Sequence, residues 1–286
     1  MKKTAMGFTL VVMLSFLTVA GCAGDPMSEE AMQRTVEEII TANASIETTA
    51  FDLTMAVNVE ARSAEGVERV TVSGAGSGIV DNTNKRMHVA LQQTQDVEGE
   101  GAVDTSTELY VADDWMYIGV ALGDARTEWL KMRMPEGMWQ QQDQVAQQVE
   151  LLKAADEVNY RGTENVNGVK CYVVEIVPDM ASVLQMMQQA QGQMSSVGGI
   201  DLSNMDLGQM VKQMSMTQYI AIDGYLFMRT DEHVVMELTP AALGVPDDEF
   251  EVIVEEVTTT LVFRDHNEPA TIQMPQGALT ATQIGA

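Results

Sequence analysis

The feature that most limits the fold of this chain is an alternation of apolar and polar residues that recurs after residue 50. From Phe51 to Val59 every second residue is apolar, which is typical of a strand with one buried face. Up to residue 132 no helical crossover separates one such segment from the next, which favours antiparallel meanders. The predicted strands are 51–59, 67–80, 86–92, 107–111, 115–119, 127–132, 159–166, 169–177, 216–222, 225–229, 233–238 and 250–263.

Turn-forming residues lie between several of these segments. Asp113-Asp114, Asn167-Gly168 and Asp223-Gly224 each separate two predicted strands, and Asn-Gly is a strong short-range signal for a hairpin. Glycines recur at every second position from Gly74 to Gly78. Glycine inside a strand predicts a bend or a bulge there.

Helical spacing of apolar residues occurs in three places. A first helix begins at Ser28, a second covers about 135–155, and the insert 178–216 predicts a helix pair whose second member runs from Ser203 through Met214. Because strands twist, a sheet of about ten strands must curl, and the helices are long enough to cover its concave face. The predicted fold class is therefore α+β: a curled antiparallel sheet, or incomplete β-barrel, of about ten strands with helices over the concave face.

The N-terminus has the layout of an export signal. Lys2 and Lys3 precede an apolar run from Thr4 to Ala20, which is short for a membrane span of about 20 residues. The run ending Ala20-Gly21-Cys22 resembles a bacterial lipobox, and this resemblance implies cleavage before Cys22 and lipid on its sulfur. An ordinary cleavage site with a chance cysteine, or an uncleaved anchor, is the alternative. We expect a signal peptide at 1–21, a tether at 22–27, one domain at 28–276 and a C-terminal tail at 277–286.

The chain is strongly acidic, with 42 Asp and Glu against 16 Lys and Arg and a formal net charge of −26. This charge argues against nucleic acid as a partner, since phosphates would be repelled. Scattered acids can also reflect a solvated surface or a saline habitat. With Cys22 lipidated, Cys171 has no disulfide partner, and its apolar neighbours predict a buried, inert thiol.

No catalytic constellation is evident, so we expect no enzyme activity, no cofactor and no metal. There is no phosphate-binding glycine loop and no nucleophile elbow, and His88, His233 and His266 lack metal-ligand spacing. The paired acids at 113–114 and 247–249 suit solvated turns, with a weak calcium site as the alternative.

Methionine is the positive chemical signal. The chain has 22 methionines, and those of the insert 178–216 would line an adaptable apolar cleft if its helices cover the sheet. Ordinary core filling and copper(I) binding are the alternatives. The candidate ligand-binding residues are Met138, Trp139, Leu184, Met187, Met194, Met210 and Met214.

Four features together resemble the lipoprotein-carrier superfamily of LolA/LolB-type carriers and LppX/LprG-type exported lipoproteins. They are the lipobox at Cys22, the helix from Ser28 leading into the strand 51–60, the hairpin 166–174, and the closing segment 263–275. The resemblance implies an incomplete antiparallel barrel around helices, an apolar cavity for acyl chains, and no enzyme activity. The long insert 178–216 departs from the compact carriers.

Two functions follow as hypotheses. The first is an exported protein, anchored by lipid to the outer face of the cell membrane or to an outer membrane, that binds lipid or another amphiphile. The second is a non-enzymatic structural or interaction lipoprotein with a filled core and an envelope protein as partner. The two differ in whether the space between helices and sheet is open.

We predict that Met187→Asp abolishes lipid retention and leaves the fold largely intact, because a charge in an apolar cleft opposes acyl binding. Lipid co-purifying with the variant and with the parent chain should be compared by mass spectrometry. Equal retention by both proteins would contradict the assignment of Met187.

Overall fold

The structure is a computed structural model that describes residues 29–63, 66–99, 101–134, 139, 143–181, 210–240 and 251–284, with side chains from residue 34 onward. These ranges contain three helices of four or more residues: α1 (Glu29–Ala44), α2 (Gln144–Lys153) and α3 (Gln276–Leu279). They also contain twelve strands: β1 (Thr48–Ser63), β2 (Gly66–Asp81), β3 (Arg86–Val97), β4 (Gly101–Ala112), β5 (Trp115–Leu122), β6 (Glu128–Arg133), β7 (Ala155–Val166), β8 (Val169–Pro178), β9 (Val211–Ala221), β10 (Phe227–Leu238), β11 (Val252–Arg264) and β12 (Thr282–Gln283).

All twelve strands belong to one sheet, in the order β12-β6-β5-β4-β3-β2-β1-β11-β10-β9-β8-β7. Two antiparallel meanders, β1–β6 and β7–β11, are joined where β1 pairs with β11. The short β12 adds to β6 in parallel. The terminal strands β12 and β7 do not pair with each other, so the curled sheet stays open. The predicted fold class is confirmed, with twelve strands where about ten were expected.

The predicted hairpin turns are confirmed by their backbone angles. Asp113 and Asp114 both have positive φ, at 53° and 61°, and Asn167 and Gly168 have φ of 50° and 88°. Two successive left-handed residues are what a two-residue turn of the right twist requires. The side-chain oxygen of Asn165 accepts a hydrogen bond from the Gly168 amide at 2.7 Å, which stabilises the second turn.

Three sequence-based boundaries were wrong. The chain from Val211 to Ser215 is part of β9, not of a helix, because β9 pairs with β10 over this stretch and this pairing outweighs the local helical spacing. Residues 227–229 and 233–238, predicted as parts of two strands, belong to the single strand β10, which continues through the polar residues 230–232 between them. A helix was expected over 135–155, whereas α2 covers Gln144–Lys153. Its N-cap is Asp143, whose carboxylate accepts hydrogen bonds from two helix amides at 3.1 Å.

The main hydrophobic core lies between α1, α2 and one face of the sheet, which we call the inner face. Ile39 of α1 and Val145, Val149 and Leu152 of α2 belong to the core. The sheet contributes Phe51, Val80, Met87, Val111, Val174, Ile176, Met216, Ile220, Phe227, Leu261 and Phe263. Helices α1 and α2 therefore cover the inner face, as predicted, whereas the helices predicted in the insert after residue 181 lie outside the described residues.

The side chain of Asn43, which is 3% exposed, links the end of α1 to the start of β10 by hydrogen bonds. Its amide nitrogen donates to the carbonyl oxygen of Tyr225 at 2.8 Å, and its side-chain oxygen accepts from the amide of Phe227 at 3.0 Å. A buried amide with both ends satisfied in this way fixes the position of a helix end.

The glycines of β2 provide space on the inner face and do not mark a bulge. The register of β2 with both neighbours is unbroken, which contradicts the bulge that was one of the two predicted features. Gly78 pairs directly with Phe51, and a Cβ atom at Gly78 would lie 2.3 Å from the Cζ atom of the Phe51 ring. The Phe51 ring, 3% exposed, packs where a side chain of β2 would otherwise stand.

Residues 277–284, assigned to a tail from the sequence, contact the opposite, outer face at β5 and β6. Ala278 is fully buried, and a Cβ atom at Gly277 would lie 2.8 Å from the indole nitrogen of Trp129. This contact places α3 against the outer face, and β12 then pairs with β6 at the edge of the sheet.

We predict that Gly78→Ala destabilises the fold by about 1–3 kcal/mol, because the added methyl group overlaps the Phe51 ring. In a Phe51→Ala background the same change should lower the unfolding free energy much less, because the Phe51 ring is absent. Urea unfolding of the two single variants and the double variant measures this coupling. Ser77→Ala, on the exposed face of the same strand, is the control and should stay within about 0.5 kcal/mol of the parent. Additive effects of the two changes would contradict the packing described here.

Candidate ligand-binding cavity

A cavity of about 320 Å³ lies between α2 and the inner face of the sheet. This volume is at the lower end of the range of about 300–1,000 Å³ that is typical of ligand pockets. Its apolar lining consists of Phe51, Leu53, Met87, Val89, Leu109, Leu151 and Leu261. The polar lining consists of Gln144, Gln147, Gln148, Glu232 and Thr259. The site is therefore mainly apolar, with polar groups from α2, β10 and β11.

The strands on either side of β2 line the cavity, and β2 itself contributes no lining residue. Gly78 stands between Phe51 of β1 and Val89 of β3, and Gly76 stands next to Leu53. The Phe51 ring packs over Gly78, so an apolar side chain of a neighbouring strand lies where β2 has none. The glycines thus allow side chains of the neighbouring strands to lie over β2.

A chain of three polar side chains forms one side of the cavity. The amide nitrogen of Gln218 on β9 donates to the side-chain oxygen of Gln148 at 3.1 Å. The amide nitrogen of Gln148 donates in turn to the Glu232 carboxyl at 2.9 Å. Gln148 is 2% exposed and Gln218 is fully buried, so both amides are held in place by the core. The chain ends at Glu232, beside the cavity.

Burial raises the pKa of the Glu232 carboxyl above its ordinary value, and the hydrogen bond from Gln148 opposes this rise only in part. No lysine or arginine lines the cavity within the described chain. The charged neighbours of Glu232 along β10 lie on the outer face. There Asp231 pairs with Arg229 at 2.7 Å, and His233 pairs with Glu256 at 2.8 Å. Among the residues that the structure describes, Glu232 therefore has no lysine or arginine paired with it.

A second hollow, of about 640 Å³, lies between the strands β2–β4 and the turn after β5. It is lined mainly by Ser73, Gly74, Ala75, Gln92, Gln93, Thr94, Asp104, Gly123 and Asp124, without large apolar side chains. The cavity under α2 is the better candidate for an apolar ligand.

Three of the ligand-binding residues expected from the sequence are described, and all three are in or beside the core and not in the cavity lining. Trp139 is 9% exposed and belongs to the main core, Met210 is 5% exposed, and Met214 packs partly buried against the core. The other candidates, Met138, Leu184, Met187 and Met194, lie outside the described residues, as does Cys22.

The sequence reasoning missed Glu232, Gln148 and the hydrophobic lining from β1, β3 and β4. A signal for Glu232 was present: Glu232, Val234 and Met236 alternate, so a carboxyl shares a strand face with two apolar side chains. Splitting β10 into two strands hid that alternation. Gln148 is a neighbour of Val145 and Val149 on the buried side of α2.

Three other ionisable side chains, those of Cys171, His88 and Tyr110, are buried or partly buried away from this cavity. Cys171 is fully buried, and burial raises the pKa of its thiol. His88 stacks on Tyr110 with ring centroids 4.1 Å apart, and burial lowers the pKa of His88. Burial, with the nearby Glu108, raises the pKa of Tyr110 to about 12.

Among the described residues, no group of three or more His, Cys, Asp or Glu side chains is arranged to hold a metal ion. No helix within the described ranges is both long and apolar enough to cross a membrane.

A family model described as a family of unknown function (DUF6612) matches residues 31–283, and the chain belongs to that family. No curated protein is significantly similar to the sequence.

Solved structures with a similar fold come from bacterial proteins. The lipoprotein LppX from Mycobacterium tuberculosis is 16% identical with a TM-score of 0.40, over 86% of this chain and 100% of LppX. LprF from Mycobacterium bovis is 12% identical with a TM-score of 0.41, over 88% of this chain and 99% of LprF. A LolA superfamily protein from Nitrosomonas europaea is 6% identical with a TM-score of 0.21, over 84% of this chain and 94% of that protein. LppX and LolA-type proteins are those that the sequence resembles. At TM-scores below 0.5 the likeness does not bear on what the cavity holds.

The raised pKa of Glu232 predicts a pH dependence of stability. The folded protein keeps a proton on Glu232 at a pH where the unfolded chain has released it, so this site favours folding below the ordinary pKa of 4.5. That contribution is lost as the pH rises from 4.5 through the raised pKa. In Glu232→Gln, which stays neutral, the loss should be absent. Between pH 4.5 and the raised pKa, the unfolding free energy of the variant minus that of the parent should therefore increase by up to ~1.4 kcal/mol per pH unit.

Urea unfolding at several pH values measures the difference between variant and parent. Glu157→Gln, on the exposed part of β7, is the matched control and should give a flat difference. A flat difference for Glu232→Gln as well would show that the carboxyl titrates normally in the folded protein.

Proposed function

We propose that this protein binds a lipid or another amphiphile in the cavity under α2, without catalysing a reaction, while a lipid on Cys22 holds it to the outer face of the cell membrane. The observation that supports the proposal is the open, mainly apolar cavity between helix and sheet. A filled space at that place would have favoured the structural or interaction protein.

The chemistry of the lining suits an acyl chain. Seven of the lining side chains are apolar and come from both α2 and the sheet, so an inserted hydrocarbon would lose its contact with water on several sides. Burying apolar area is worth roughly 25 cal/mol per Å² before the cost of ordering the ligand. The few polar groups, on α2, β10 and β11, are placed to orient a polar end.

The anchor is inferred from the sequence alone. The basic start, the apolar run and the small residues before Cys22 favour cleavage and lipidation at that cysteine. Two or three acyl chains on one residue hold a protein stably at a membrane, whereas one chain does not. The membrane would be the outer membrane if the envelope has two.

The alternative, an interaction lipoprotein, has one observation in its favour. Trp139 lies in the core, and Met210 and Met214 are buried in or against it, as ordinary core filling would require. The open space nevertheless remains below α2, where other residues line it, so we place ligand binding first.

The first test is to express residues 23–286, purify the protein natively, and extract it for mass spectrometry of bound lipid. This chain retains every strand and helix described above. Acyl lipid near one per chain is expected. A clean extract, together with no uptake of a fluorescent fatty acid or a neutral acyl lipid, would favour the interaction protein.

A matched pair of variants locates the binding site. Thr259 lines the cavity, whereas Thr258 is exposed on the outer face of the same strand. Thr259→Phe should fill the cavity and lower lipid occupancy severalfold, because a ring replaces the space that an acyl chain would occupy. Thr258→Phe should leave occupancy unchanged. Circular dichroism and thermal unfolding check that both variants are folded, and equal occupancy in the two folded variants would place the ligand elsewhere.

A further inference from the structure

Glu232 is the acidic residue in the described lining of the cavity, and its surroundings restrict what can bind beside it. One carboxyl oxygen accepts the hydrogen bond from Gln148, and the other has no hydrogen-bond partner within the described residues. Gln148 cannot turn away freely, because it is 2% exposed and also accepts from Gln218. The second oxygen of Glu232 is thus an acidic contact offered to a ligand, in a cavity whose other polar lining residues, Gln144, Gln147, Gln148 and Thr259, carry no charge.

We propose that the cavity selects acyl ligands whose polar end is uncharged and carries a hydroxyl group, that it rejects fatty-acid anions, and that Glu232 is the residue that makes this distinction. The inference rests on the ligand-binding function proposed above and names its ligand class.

Rejection of an anion follows from charge and burial. A ligand carboxylate beside an ionised Glu232 would place two negative charges close together at a largely buried position, where like charges repel strongly. The lysine and arginine residues of α2, β9 and β10 do not offset this repulsion, because each is paired with another acid. Arg229 is paired with Asp231 on the outer face, Lys153 with Glu150 on the exposed side of α2, and Lys212 with Glu237.

Acceptance of a hydroxyl group follows from hydrogen bonding. A hydroxyl group is both a donor and an acceptor, so it can donate to an ionised Glu232 or accept from a protonated one. The contact is therefore available in either protonation state. The acyl chain, joined to the hydroxyl-bearing group by an ester or ether bond, would then lie along Leu53, Leu109 and Leu261.

Monoolein and oleate test the proposal, because they share one acyl chain and differ in the polar end. The lipid-free protein (residues 23–286, delipidated) should bind monoolein more tightly than oleate by at least about tenfold at pH 7, since close like charges strongly disfavour a partner. Glu232→Gln should raise oleate affinity by about tenfold and change monoolein affinity by less than about threefold. Glu232→Lys should favour oleate.

The control is Glu237→Gln, on the outer face of the same strand, which should leave the ratio of the two affinities unchanged. Equal binding of monoolein and oleate by the parent, or an unchanged ratio in folded Glu232→Gln, would overturn the selectivity and leave the binding function standing. Binding of neither probe would overturn both proposals. Oleate preferred by the parent would also overturn the role of Glu232.

Discussion

The pairing of β1 with β11 is the contact on which the rest of the structure depends. It runs in unbroken register from Ala50 opposite Arg264 to Arg62 opposite Val252 and joins two separate meanders into one sheet. On the inner face this register sets Phe51 against Phe263 and Leu53 against Leu261. A slip of one residue would move all of these side chains to the other face, so the core permits only this register. The outer-face ion pair between Asp52 and Arg264, at 3.2 Å, is exposed and adds little.

The same junction creates the cavity. Leu53 and Leu261 come from the two joined strands, Val89 and Leu109 come from the first meander, and Glu232 comes from the second. Each meander alone supplies only part of the wall, and α2 closes it. The glycines of β2 leave room for the Phe51 ring, while the buried amides of Gln148 and Gln218 hold the carboxyl of Glu232 in position. Apolar space and a fixed polar group are thus consequences of one packing arrangement.

Much of the fold could be predicted from local patterns. Alternation identified β1 because its inner residues are apolar and its outer residues mostly polar. Asn167-Gly168 marked the turn between β7 and β8 because both positions need positive φ. Prediction failed where local spacing and long-range pairing disagreed. Met210 and Met214 are four residues apart, which suits a helix, yet Met214 is held in β9 by pairing with Val234. The glycines of β2 were taken for a bend or a bulge because the residues opposite them, such as Phe51 opposite Gly78, cannot be identified from β2 alone.

The sequence by itself determined the class of fold, the turns, the acidity and the expected export signal with Cys22, because each depends on residues close together in the chain or on composition. Only the tertiary structure decided which residues line the cavity. Gln148 and Glu232 are 84 residues apart, and their contact depends on how α2 lies across β10. Local patterns carry no information about such a crossing, because it is fixed by the packing of side chains from helices and strands distant in sequence.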